Sequence, residues 1–249
     1  NWEEDNSSSL YFVIYRYFDI QVMRWSYISA FIILRIGGIP MDSCSAKSFC
    51  KKMDKYQKAY YKSLLSVPVT CCNARAGSGK TTIAVLAGLQ LLEEGKVDKI
   101  VYIRFPDPML QSLGALPGEM DEKEVYYMKP FMDACSQFGV TQGIFENMMA
   151  RESIIMCTNI AMRGVNIRDS FVIIDEAQNG TFKDLKLVLT RLNEACRTAL
   201  IGQSEQCDNS RAGRENAFNA YIKHMTKQPF AKETPLLINH RGKISDWAD

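Results

Sequence analysis

Histidine is scarce: only His224 and His240 occur in 249 residues, and neither stands at metal-site spacing from a cysteine or carboxylate. A structural metal centre is therefore not expected. An excess of one charge is also lacking, since 30 Lys plus Arg face 28 Asp plus Glu for a formal +2. Overall charge thus gives no argument for a nucleic-acid partner, although a local basic groove is compatible with it. No uninterrupted apolar run approaches the ~20 residues of a transmembrane helix, and no ordered secretory layout is present. Stable membrane insertion is not expected. Repeats and low-complexity tracts are absent, glycine and proline number only 15 and 8, and hydrophobic residues make up 47%. These values exclude a mainly disordered or fibrous chain.

Cysteine is plentiful at eight, but no CxxC pair occurs, and VTCCN, SIIMCTN and ACRTALIG place cysteines inside apolar runs. They read as buried thiols of a protein in a reducing, cytoplasmic compartment. The first 52 residues do not match the rest. After the polar NWEEDNSSS comes an aromatic, β-branched stretch, residues 10–40, interrupted by Arg16, Asp19, Arg24 and Arg35. It reads as an extra element packed on the core, a membrane-surface segment, or sequence upstream of a natural start at Met41 or Met53.

From residue 53 to 249 the pattern is regular. Strands are predicted at VPVTCCN, DKIVYIR, SIIMCTN, SFVIIDE and CRTALIG, and helices at MDKYQKAYYKSLLS, GKTTIAVLAGLQLLEE, MKPFMDACSQF, TFKDLKLVLTRLNEA and RENAFNAYIKHM. Such alternation predicts an α/β fold, a three-layer αβα core with a mostly parallel central sheet.

The segment ARAGSGKTT, Ala74 to Thr82, follows an apolar strand and opens a helix. It supplies GxxxxGK[ST] with Ala74 in place of the first glycine. Gly77 and Gly79 allow backbone N–H groups of Ala76 to Thr82, Ser78 among them, to turn toward phosphate oxygens, and the helix adds its positive end. Lys80 can reach the β and γ phosphates of ATP, and Thr81 offers a hydroxyl to Mg²⁺. In SFVIIDEAQ, four apolar residues deliver Asp175 and Glu176 to a strand end, where open α/β sheets bind ligands. Asp175 is expected to hold Mg²⁺ directly or through water, Glu176 to polarise the attacking water, and Gln178 to couple the γ-phosphate state to a neighbouring surface.

ARAGSGKT, GKVDKIVYIRFP, LGALPGEMDEKEVYYMKPF, MRG, FVIIDEAQN, LTRL and GQSEQ together resemble the PhoH-like family of P-loop ATPases, whose core is related to the first motor domain of superfamily 1 helicases. The resemblance covers residues 53–249. It implies that Gln57 reads the adenine edge, the alternative being an exposed helix residue. Arg104 resembles the arginine of the family's TRP segment, a nucleotide or nucleic-acid contact. Arg163 matches a position near the nucleotide or RNA path, and Arg191 one that holds adjacent helices or subunits through a charge-assisted bond. GQSEQ departs from the GDxxQ of related motors: Gln203 replaces the acid while Gln206 keeps the final amide. A carboxamide cannot supply that negative charge, which makes turnover less certain than binding, and Glu205 is a candidate substitute. Arg241 in LINHRGK resembles an arginine that contacts the γ phosphate, inside the subunit or across an oligomer boundary.

The combined reading is an ATP-binding protein and Mg²⁺-dependent ATP hydrolase, with single-stranded RNA as a partner and a homo-oligomer, in ring form, as the assembly. Two alternatives are an ATP-binding interaction module with weak turnover, suggested by Gln203, and a small-molecule kinase with a P-loop.

Overall fold

The computed structural model describes residues 41–106, 120–162, 164–206 and 216–248. Helices α1 (Ser43–Lys52) and α2 (Lys55–Ser66) precede strand β1 (Val69–Asn73). There follow α3 (Lys80–Glu93), β2 (Lys99–Arg104), α4 (Met120–Gln137), α5 (Gln142–Ala150), β3 (Ile154–Thr158), β4 (Ser170–Asp175), α6 (Phe182–Leu189), β5 (Arg197–Gly202), α7 (Ala217–Met225), β6 (Ala231–Glu233) and α8 (Lys243–Ala248). Six strands form one sheet in the order β3-β2-β4-β5-β1-β6, and every pair is parallel. The expected α/β architecture is thus present, with two apolar layers and a sheet buried on both faces.

One layer joins α2 to α5 with the sheet through Tyr60, Leu64, Leu86, Leu89, Phe131 and Phe171. The other joins α6 and α7 to it through Leu185, Val188, Phe218 and Ile222. Helix α3 carries nine buried residues, and Gly88 brings it so close to the sheet that an added Cβ would stand 2.8 Å from Phe171 Cδ1. Helix α1 also packs on this body: Asp42 N–H donates to the Phe138 carbonyl at 2.8 Å, and Phe49 meets Phe138 edge-on at 5.4 Å.

The five predicted strands are found at their segments, and β6 is an additional edge strand. The helix expected over 181–195 stops at Leu189 because the next backbone groups pair elsewhere: the Arg191 carbonyl accepts from Ile167 N–H and Asn193 N–H donates back to Ile167. The helix expected from Met128 instead begins at Met120 and carries Pro130 inside it. All seven described cysteines are free thiols, and burial pushes Cys71 and Cys72 up to about 12. Among the described residues no helix is long and apolar enough to cross a membrane.

Candidate phosphate-binding and hydrolytic site

The sheet order determines which strand ends meet. Strand β5 lies between β1, which leads into the phosphate loop, and β4, which ends at Asp175. The loop turns at Gly77 (φ +78°) and Gly79 (φ +89°), values that favour glycine, and Gly79 caps α3 without a side chain. Ser78 is buried, and its hydroxyl donates to the Arg75 carbonyl at 2.8 Å. Lys80 folds back onto the loop, its Nζ donating to the carbonyls of Ala74 at 2.6 Å and Arg75 at 2.9 Å. Burial, with a smaller push from Arg241, lowers its ammonium pKa below the ordinary value. An anion in the loop would relieve that cost.

Thr81 and Asp175, 94 residues apart in sequence, meet: the Thr81 hydroxyl donates to Asp175 Oδ2 at 3.3 Å. The same oxygen accepts from Tyr102 Oη at 2.7 Å, and Oδ1 accepts from Glu176 N–H at 3.0 Å. Burial pushes the Asp175 carboxyl up and Glu176 adds to it, against the Tyr102 hydrogen bond and the Arg104 charge. A buried carboxylate beside a hydroxyl is a hard-oxygen pair that suits Mg²⁺.

Glu176 adopts the left-handed conformation (φ 53°, ψ 38°), a strained turn that aims its side chain off the end of β4. Its carboxylate is held from two sides. Arg104 Nη2 lies 3.6 Å from Oε1, while its Nη1 donates to the Tyr127 carbonyl at 3.2 Å. Gln178 Nε2 donates to Oε2 at 2.5 Å, and Gln178 Oε1 accepts from Gln203 N–H at 3.0 Å. Gln203 is buried with its Oε1 unpartnered. Glu205 points outward, 3.7 Å from Arg75, rather than toward the missing acidic position.

Gln57 is buried, not an exposed helix residue. Its Oε1 accepts from Asp54 N–H in a capping box, and its Nε2 donates to the Ser78 carbonyl at 3.0 Å. Arg241 lies against the loop at Gly77. Ala76 and Thr82 are half-buried within the loop and first helical turn. Gln206 is exposed on the 204–206 turn, outside the hydrogen-bonded carboxylate cluster. Arg191 sits beside Ile167 with its Nε buried and unpartnered, and Arg163 lies outside the described residues.

The profile described as PhoH-like protein matches residues 50–237. The chain belongs to the PhoH-like family. A PhoH-like protein of Synechocystis is 34% identical over 152 residues, covering 61% of this chain and 46% of that one. Protein PhoH2 of Bacillus subtilis is 34% identical over 187 residues, covering 73% and 42%. This PhoH-like chain therefore spans less than half the length of these relatives. Among solved structures, the UvsW helicase of bacteriophage T4 aligns at 13% identity and a TM-score of 0.45, over 79% of this chain and 68% of that one.

Four residues of the PhoH-like site escaped the sequence reading. Tyr102 looked like one more apolar strand residue, yet register places it beside Ile173, two residues before Asp175. Asn73 ends β1, accepting from Ser204 N–H at 3.0 Å and donating to Ser204 Oγ and Asn219 Oδ1 at 2.8 Å. Its polar side chain at the close of an apolar strand was the available signal. Asp54 and His240 are 186 residues apart and meet at 2.8 Å, a pairing no local pattern carries.

Proposed function

We propose that this chain is a Mg²⁺-dependent ATPase. The observation that carries the reading is the Thr81–Asp175 contact at 3.3 Å, which joins the phosphate loop to the acidic strand end with Glu176 one residue further on. ATP phosphates would take over the Lys80 donors now spent on the Ala74 and Arg75 carbonyls. Thr81 and Asp175 would hold Mg²⁺, which when bound neutralises charge on the β and γ phosphates. Glu176 takes the proton of the attacking water, and Arg104 and Gln178 keep its two oxygens in place. Lys80 and Arg241 stabilise the charge that spreads over the γ oxygens as the bond to ADP breaks.

Gln203 favours a second reading, an ATP-binding module with slow turnover, because a neutral amide stands where related motors carry an acid. RNA coupling and ring assembly rest on the family resemblance. Phosphate release by the purified chain, with and without single-stranded RNA and beside Lys80→Ala, tests these readings together. The ATPase reading expects release above the variant, and RNA coupling expects stimulation. Tight ATP binding without release would leave the module, and phosphate transfer to a small-molecule acceptor would favour the kinase.

A further inference from the structure

The segment after β6 runs back across the phosphate loop. Thr234 N–H donates to the Cys71 carbonyl at 2.9 Å, and His240 N–H donates to the Gly77 carbonyl at 3.0 Å. The His240 ring reaches Asp54, its Nε2 lying 2.8 Å from Oδ2. Asp54 is the N-cap of α2, and its other oxygen accepts from Tyr56 and Gln57 N–H at 2.6 and 2.9 Å. One carboxylate thus caps the helix with one oxygen and holds the imidazole with the other. Gln57, on the same helix, grips the Ser78 carbonyl. Two successive loop carbonyls, Gly77 and Ser78, are therefore held from two elements that are themselves joined through Asp54 and His240.

Arg241 follows directly. Its N–H donates to Asn239 Oδ1 at 2.8 Å. A Cβ on Gly77 would stand 2.7 and 2.9 Å from Arg241 Cγ and Cδ, so the arginine stem rests on the bare face of that glycine. Its charge bears on Lys80. We infer that Asp54 and His240 form a clamp that fixes Arg241 over the phosphate loop of its own chain, so that this arginine serves phosphoryl transfer in cis. The inference rests on the ATPase reading and decides between the two sources of the arginine.

The Asp54 carboxyl lies below its ordinary value, because hydrogen bonds from Gln57 N–H, His240 and Tyr56 N–H outweigh the upward push of partial burial. An ionised carboxylate only accepts, so the imidazole nitrogen facing it carries the proton. During hydrolysis the water oxygen bonds to the γ phosphorus while its proton passes to Glu176. The bond from that phosphorus to the β-phosphate oxygen breaks, and its electron pair leaves with ADP. Arg241 acts on the γ oxygens throughout. An arginine donated across a subunit boundary would have to lift its stem off Gly77 of its own loop. Asp54 and His240 are positioning residues; Arg241 is the group that touches substrate.

Two experiments test the clamp. Arg241→Ala and Lys80→Ala chains are co-expressed and co-purified, and their phosphate release is compared with the sum of the separate variants. Action in cis predicts no excess over the sum, whereas recovery above it would show a neighbour supplying the arginine and overturn the inference. His240→Ala and Asp54→Ser are then made singly and together, serine being chosen because it caps a helix but is too short to reach the imidazole. Each single change is expected to lower kcat roughly ten- to a hundredfold with KM for ATP moving less than about threefold, and the double no further than the worse single. Unchanged kcat, or losses that multiply in the double, contradicts the clamp. The same cycle read by urea unfolding gives a non-additive midpoint shift regardless of turnover. A chain that releases no phosphate yet shows that non-additivity defeats the ATPase reading and keeps the contact; additive shifts defeat the contact itself.

Discussion

Gly202→Ala places a methyl group at the junction that holds Glu176. The new Cβ would stand 2.6 Å from Gln178 Oε1 and 3.0 and 3.1 Å from Phe218 Cε1 and Cζ. Phe218 is fully buried and has no free volume to enter, so the amide must move. Restoring ordinary contact from 2.6 Å requires a retreat of about 0.8 Å, which stretches the 3.0 Å bond from Gln203 N–H beyond hydrogen-bonding range. The donor on Glu176 Oε2 is disturbed with it. Overpacking costs about 1–3 kcal/mol and the lost hydrogen bond about 1 kcal/mol, giving a loss of about 2–4 kcal/mol. A mispositioned Glu176 lowers kcat roughly ten- to a hundredfold, while ATP affinity changes less than about threefold because Gly77 to Thr81 are untouched. Urea unfolding, ATP titration and steady-state phosphate release measure the three quantities. A stability change under about 0.5 kcal/mol with kcat within about twofold would refute the proposed route from Gly202 through Gln178 to Glu176.

Asp175→Asn removes a buried negative charge, so the nucleotide-free variant should unfold at higher urea than the parent while kcat falls at least about 100-fold; a lower midpoint would contradict the burial argument. Asp54 has a folded-state pKa below its unfolded value, so the stability it adds is present above about pH 4 and is lost as pH falls through the folded value. The urea-midpoint gap between the parent and Asp54→Ser should therefore be widest near neutral pH and narrow progressively as pH falls below about 4, and a gap that did not narrow in acid would assign it to another cause. Gln203→Asp restores the acid of GDxxQ and should raise kcat severalfold with less effect on ATP affinity; no rate gain would remove the missing carboxylate as the limit on turnover.

Much of the scaffold is legible because β1, β2, β4 and β5 are short apolar runs ending in a polar residue or glycine, and GSGKT and IIDE mark where two of them end. Strand β6 is hidden because Ala231–Glu233 is three residues long and mostly polar. Helix α4 already runs for ten residues before Pro130, eight of them ahead of the start read at Met128. Sheet order is a tertiary outcome, so nothing local foretold that β5 would separate β1 from β4 and bring Gln203 to Gln178. For the same reason no local pattern showed that Tyr102 would reach Asp175, Gln57 the Ser78 carbonyl, or His240 the Asp54 carboxylate.

The central claim is that Glu176 activates water for ATP bound on the Gly77–Thr81 loop. Single-turnover phosphate release from ATP by Glu176→Gln, with ATP binding measured on the same sample, tests it most directly. The account predicts near-parental binding and a release rate lower by at least about 100-fold. Release at the parental rate with ATP bound would contradict it.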